Sequence, residues 1–200
     1  MADSGQEPVL VRDRDPFDRT LETLRRRLAQ AGPMQGAPLP ISGLAEELGV
    51  SPTPVREVLA RLAGEDLIVR TPHGYAALLH DPARVAELYD LAGVLVCAVV
   101  QARGMDLARF DLNTPLASAQ AAPNRALAQA CARIEAQLAP LARAEAELFG
   151  AAAGAKPPLT AGASPRTALA RAVRRHFARR AVQSGRILAV ALGLIKSPRI

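Results

Sequence analysis

The residues best suited to recognition chemistry cluster between positions 42 and 74 of this 200-residue chain. Ser51 and Thr53 carry hydroxyls that donate to phosphate oxygens, and Arg56 carries a planar fork of donors. An exposed guanidinium can grip a guanine edge through two bonds or hold a phosphate. The Thr53 methyl and Pro54 offer apolar contact of the kind a thymine methyl accepts. Ser42 and Arg61 belong to the same stretch, and Arg70, His73 and Gly74 follow closely. Gly74, lacking a Cβ, lets the backbone approach a partner. The competing readings of the same residues are plainer: a solvated ion pair for Arg56 and an ordinary hairpin turn for His73.

To act together, these groups need a rigid element with Ser51 to Arg56 at its tip, and the spacing predicts one. Phe17, Leu21, Leu24 and Leu28 recur at helical intervals over Pro16 to Gln30, with Arg25, Arg26 and Arg27 on the remaining surface. Asp15 caps that helix, and Ala31-Gly32-Pro33 ends it. After a polar stretch to Pro40, Ile41, Leu44, Ala45 and Leu48 mark a short helix closed by Gly49. Ser51 caps the next, which runs to about Ala63 with Val55, Val58, Leu59 and Leu62 facing inward. Two short amphipathic helices about a glycine turn make a helix-turn-helix, placed at Ile41 to Ala60. Leu67 to Arg70 and Tyr75 to Leu78 read as a hairpin around Thr71-Pro72-His73-Gly74, in the position of a wing.

From Asp81-Pro82 onward no strand signal appears. A helix over Ala83 to about Gly104 is apolar nearly all round in its second half, Leu91 to Val100, which predicts burial in a core or a dimer interface. Residues 111–123 read as a connection. A helix over Asn124 to Phe149 carries a kink at Pro140. Gly150 to Pro165 reads as a loop, and a last helix over Arg166 to Ile195 has a potential break at Ser184-Gly185. The expected organisation is mainly α: a flexible tail at 1–15, a winged helix-turn-helix at 16–80, and an all-α bundle at 81–200.

Composition narrows the function classes. Alanine is roughly a fifth of the chain and aromatics are 3%, which favours closely packed helices and disfavours a stacking platform for single strands. The net charge of +6 is unevenly placed. Residues 1–82 hold nine Arg against twelve acids, a net of −3, so the remaining residues carry +9. Arg25 to Arg27, Arg56, Arg61 and Arg70 can still share a face if the acids point away. Cys97 and Cys131 have no Cys-x-x-Cys partner, so neither a disulfide framework nor a zinc cluster is expected. No apolar run reaches the ~18 residues of a membrane span, and the first residues carry no secretory signal. A cytoplasmic chain with no membrane partner is expected. No glycine-rich phosphate loop, spaced metal set or nucleophile–base constellation stands out, so no enzyme activity, cofactor, catalytic residue or metal site is expected.

The block Gly49-Val-Ser-Pro-Thr-Pro-Val-Arg-Glu57, with the wing behind it, resembles the GntR superfamily of winged-helix transcription regulators over residues 16–80. Leu88-Tyr89-Asp90-Leu91 looks like the opening of the helical effector domain of the FadR-like (FCD) subgroup, here shortened and divergent. The family often has arginines where this chain has Ser42 and Pro52, while Arg56 matches. Subgroup members often bind a metal through an Asp and several His. This chain has three His, two of them in or beside the wing, so a metal-dependent effector site is not expected.

The resemblance implies sequence-specific binding to double-stranded DNA by a homodimer on an inverted repeat. It also implies a small effector in the bundle. Arg166, Arg171, Arg174, Arg175, Arg179, Arg180 and Arg186 form an acid-free run that is either a solvated face or a grip on an anionic effector. For the grip the candidates are Arg175, His176 and Arg179, with His176 equally readable as a core or rim residue. The alternative to DNA binding is a winged-helix interaction module that docks a protein and reads no bases.

Overall fold

The computed structural model describes residues 15–150 and 164–196. The tail expected at 1–15 therefore lies, apart from Asp15, outside the described residues, as do residues 151–163 of the expected loop. The first helices fall where the periodicity places them: α1 Pro16–Gln30, α2 Ile41–Leu48 and α3 Pro52–Gly64. Strands β1 Ile68–Thr71 and β2 Gly74–Ala77 pair antiparallel, Arg70 facing Tyr75. The hairpin is one residue tighter than expected, because Thr71 and Gly74 themselves pair and only Pro72 and His73 make the turn.

One element was not legible. Pro38 bridges to Ala76, with the Leu39 amide donating to the Tyr75 carbonyl at 2.8 Å and the Ala77 amide to the Ala37 carbonyl at 2.9 Å. The α1–α2 connection thus covers the second edge of β2. A segment written Met-Gln-Gly-Ala-Pro-Leu-Pro shows no alternation, so only pairing with the hairpin makes it extended.

A cap followed by proline opens helix after helix: Asp15-Pro16, Ser51-Pro52, Asp81-Pro82, Thr114-Pro115 and Ser164-Pro165. Proline fits the first helical position, where its missing N–H would lack an intrahelical partner anyway. Asp15, Asp81 and Ser164 accept amide bonds from Phe17, Arg84 and Thr167. Gly49 ends α2 with φ +65°, a left-handed value that L side chains adopt at a cost.

The helical region comprises α4 Pro82–Gln101, α5 Pro115–Ala119, α6 Arg125–Leu138, α7 Ala142–Phe149, α8 Pro165–Val182 and α9 Ser184–Ala191. The expected kink at Pro140 is a 3-10 turn over Ala139–Leu141, and the break near Ser184 is real. The short α5 falls within the connection expected at 111–123, and Leu116 and Ala119 anchor it by burial. Helix α4 is the central rod. A Cβ built on its Gly93 would meet the Phe177 Cβ at 3.3 Å, so the glycine sets how closely α8 approaches. Buried apolar residues form two clusters, one from Leu21 to Tyr75 and one from Val85 to Leu188.

Candidate nucleic-acid interface and bundle cavity

Burial fixes which face of α3 is free. Val55, Val58, Leu59 and Leu62 are at most 1% exposed, so Thr53, Arg56, Glu57 and Ala60 face outward. Ser51 stands at the N-cap position, but its hydroxyl makes no capping bond. A capping oxygen accepts from the second or third helical amide, and Pro54 at the third position removes one of those two donors. Ser51 and Thr53 therefore keep their hydroxyls at an exposed, uncapped helix entry. Helix α2 also starts on a residue without a side-chain cap, Pro40, and Ser42 is exposed in its first turn.

The arginines differ in what they are bonded to. Arg25 donates both ways to Glu65 at 2.6 and 2.5 Å, and Arg61 adds a 3.1 Å contact to the same carboxylate. Burial pushes the Glu65 carboxyl up, but the two arginines outweigh it and hold it below the usual range. Arg61 also lies over the Phe17 ring, 5.9 Å from its centroid. Arg27 pairs with Glu47 at 2.7 Å. Arg70 donates to the Tyr75 hydroxyl at 3.2 Å and covers its ring. Arg61 and Arg70, both candidates for DNA contact, remain exposed but each has a partner within the domain. Glu65 stands one helical turn after Arg61 and Tyr75 faces Arg70 across the hairpin, so both partners are local, whereas the Arg25 bond to Glu65 comes from α1, forty residues away. Among the described residues, Arg56 is the arginine of positions 41–80 left exposed and without a hydrogen bond, ion pair or ring partner. Glu57, beside it, was not singled out from the sequence; its exposed position after Val55 was the available signal. At the wing tip His73 is exposed, and Gly74 has φ +125° with open space where a Cβ would stand.

A second candidate site lies in the bundle, a cavity of about 520 Å³ lined by Tyr89, Glu135, Leu138, Glu145, His176 and Arg180 among others. Arg180 donates to Glu145 at 2.6 Å, and the Tyr89 hydroxyl donates to the other oxygen of that carboxylate at 2.6 Å. Both charged side chains are largely buried, at 14% and 20% exposure. Burial and the Glu145 charge raise the Tyr89 phenol, so it stays a donor. Glu135, bonded to Gln120, is raised by burial.

Of the three effector candidates, His176 lines this cavity, whereas Arg175 and Arg179 are exposed and do not, Arg179 stacking on the Phe149 ring at 4.9 Å. The cavity arginine is Arg180, seven residues after buried Val173 and three after buried Phe177. That helical spacing was the missed signal. Arg166 is structural, donating to the Val100 and Ala102 carbonyls at 2.6 and 3.0 Å and so closing the end of α4.

Burial, then the Arg180 charge, pushes His176 down to about 4 from its ordinary 6.5. A histidine with a lowered folded pKa is stabilising when neutral. Its contribution is complete above pH 6.5 and is lost as pH falls from 6.5 towards 4, where only the unfolded chain takes up the proton. His80 is lowered by burial in the same direction. The melting temperature is therefore expected to drop between pH 7 and pH 5. In His176→Gln the drop should be smaller, His80 retaining part of it; an identical drop would show that His176 is not the group.

Residues 17–74 match the family described as bacterial regulatory proteins, gntR family. This segment is similar to the helix-turn-helix domain of that family. It contains the uncapped α3 entry, Arg56 and the wing as far as Gly74. Across the whole chain the fold is similar to that of E. coli McbR/YncC, with a TM-score of 0.50, 17% identity and coverage of 89% of this chain and 95% of that one. It is also similar to that of Lar, described as controlling the expression of the Listeria monocytogenes agr system and mediating virulence. There the TM-score is 0.51 and the identity 16%, over 87% of this chain and 98% of that one. No curated protein sequence matches the chain. The family match over residues 17–74 supports a DNA-binding regulator of transcription, while the two structural likenesses speak for the fold alone. Among the described residues no helix is long and apolar enough to cross a membrane, and no group of three or more His, Cys, Asp or Glu is placed to hold a metal.

Proposed function

We propose that the chain is a homodimeric, sequence-specific DNA-binding transcription regulator acting in the cytoplasm, with its DNA-binding unit at 16–80 and its dimerisation and effector unit at 81–200. The observation that carries this is Arg56: a guanidinium without a protein partner, on the free face of a helix whose entry is also open. In the major groove Arg56 donates to a guanine or phosphate, and Glu57 accepts from a cytosine amino group. Ser51, Thr53 and Ser42 donate to phosphates, with Pro54 against a thymine methyl. His73 and Gly74 bring the wing to the backbone or minor groove. Selection of bound sites from random duplex DNA tests this. An inverted repeat with half-sites about one helical turn apart is expected; recovery of no preferred sequence would favour the protein-docking alternative.

Dimerisation is assigned to the outer face of α4, where Leu91 and Val94 are 45% and 67% exposed and Ala98 continues the stripe one turn on. An apolar stripe on the central rod of a bundle suits self-association about a twofold axis. Val94→Glu is expected to leave the fold intact, since the side chain is outside, and to shift the chain to monomer in sedimentation at micromolar concentration. A dimer unchanged by it would place the interface elsewhere.

The effector is assigned to the bundle cavity. Arg180 is already neutralised by Glu145, so an anion could take it only by stranding a buried carboxylate. With Glu135 and Glu145 against one arginine and a neutral His176, the cavity suits a neutral or cationic ligand better than the small anion that the arginine run suggested.

A further inference from the structure

A second cavity, of about 300 Å³, lies where the winged-helix unit meets the bundle. Its wall comes from α1 (Leu28, Ala29), from the approaches to β1 and α4 (Leu67, His80), and from the end of α6 (Ala136, Gln137). Most of that wall is carbon. The polar exceptions are poorly satisfied. Gln137 is 5% exposed; its amide nitrogen reaches the Glu65 carbonyl only at 3.4 Å, and its Oε1 has no partner. Neither ring nitrogen of His80 makes a hydrogen bond, although the nearby Leu78 carbonyl favours the charged form.

The backbone around His80 is nonetheless firmly held. Its amide donates to the Gln35 Oε1 at 2.7 Å, and its carbonyl accepts from the Gln35 Nε2 at 2.9 Å. The backbone carrying this ring is thus held at the cavity wall, and both ring nitrogens lack a well-formed hydrogen bond. A buried amide oxygen without a partner loses its hydration with nothing in return. Folded proteins keep such groups where a ligand or a water supplies the missing bond. The arginines at the mouth are Arg25, committed to Glu65, and exposed Arg26.

We propose that this junction cavity is a ligand site, distinct from the bundle cavity, for a small, uncharged, mostly apolar molecule carrying one hydroxyl or amide N–H. The donor bonds the Gln137 Oε1, and the neutral imidazole of His80 meets the same polar group while the carbon body fills the space beside Leu28, Met34 and Leu67. The volume lies at the lower end of the range for small-molecule sites, which fits a single ring. Such a molecule touches α1 and the wing's exit on one side and α6 on the other, so it ties the two units together. The proposal does not rest on DNA binding.

The full chain, labelled at its methionine methyls, provides the test. Met34 lines the cavity, whereas Met105 is buried in the bundle core and serves as internal control. Benzyl alcohol is titrated against toluene, which has the same ring and lacks the donor. The expected result is a saturable shift of the Met34 methyl resonance with Met105 unmoved, and affinity at least tenfold greater for the alcohol. Gln137→Met, which keeps the volume and removes the acceptor, should abolish that preference and retain toluene binding. Ala136→Leu, which fills the space, should abolish both, guarding against a folding failure in either variant alone. No shift at Met34, meaning that the cavity holds only solvent, would overturn the proposal, as would equal affinity for the two probes.

Discussion

Arg56→Ala is expected to weaken binding to the protein's preferred duplex by about 1–3 kcal/mol per recognition helix, and by roughly twice that for a symmetric dimer. Specificity should relax at the base pair it contacts. The size follows from what the side chain does in the free protein, which is nothing: it spans no ion pair and covers no ring, so its donors come to DNA without breaking another bond. Arg61→Ala makes the informative comparison. Arg61 is one of two arginines on Glu65, and its removal should cost stability of up to about 1 kcal/mol, as for a partly exposed pair, with a smaller loss of DNA affinity. Binding measured by fluorescence anisotropy at fixed salt, alongside urea denaturation, separates the two. Unchanged affinity in Arg56→Ala would favour the interaction-module alternative.

Arg180→Met is the second large effect. It leaves the Glu145 carboxylate largely buried without its cation, which costs about 3 kcal/mol, the lower end for broken buried pairs because a fifth of Glu145 meets solvent. Replacing the whole group (Arg180→Met, Glu145→Leu and Tyr89→Phe together) should restore most of that stability, since no polar atom is then stranded. Denaturation midpoints at pH 7 for the single and triple variants measure the difference. If the single change costs under 0.5 kcal/mol, a typical surface value, the triad is not a stabilising unit. A triple variant that folds and binds DNA but no longer responds to any bundle ligand would assign the triad to effector recognition instead.

Some of this was readable because it is local. Helix positions in α1, α2 and α3 follow from which residues repeat every three or four positions, and from Asp or Ser before proline; both act within one or two turns. The exposure of Arg56 follows from the burial of Val55 and Leu59 on either side of it, by helical geometry alone. Gly49 announces its turn because few other residues tolerate its backbone angle. The same geometry turns Arg180 towards the cavity, since it follows buried Val173 and Phe177 at helical spacing.

The arrangement of short helices, the hairpin and the free tip of α3 could be read from the residues in order, because each is set by contacts between near neighbours in the chain. The long-range charge pairs became visible only once the helices were packed together. Arg25 and Glu65 are forty residues apart and Arg180 and Glu145 thirty-five, and nothing in either neighbourhood names its partner. The pairing of Pro38 with the wing and the cavity between α1 and α6 arise in the same way. Long-range encounters depend on how whole helices pack, and packing responds to summed shape and volume rather than to any short run of letters.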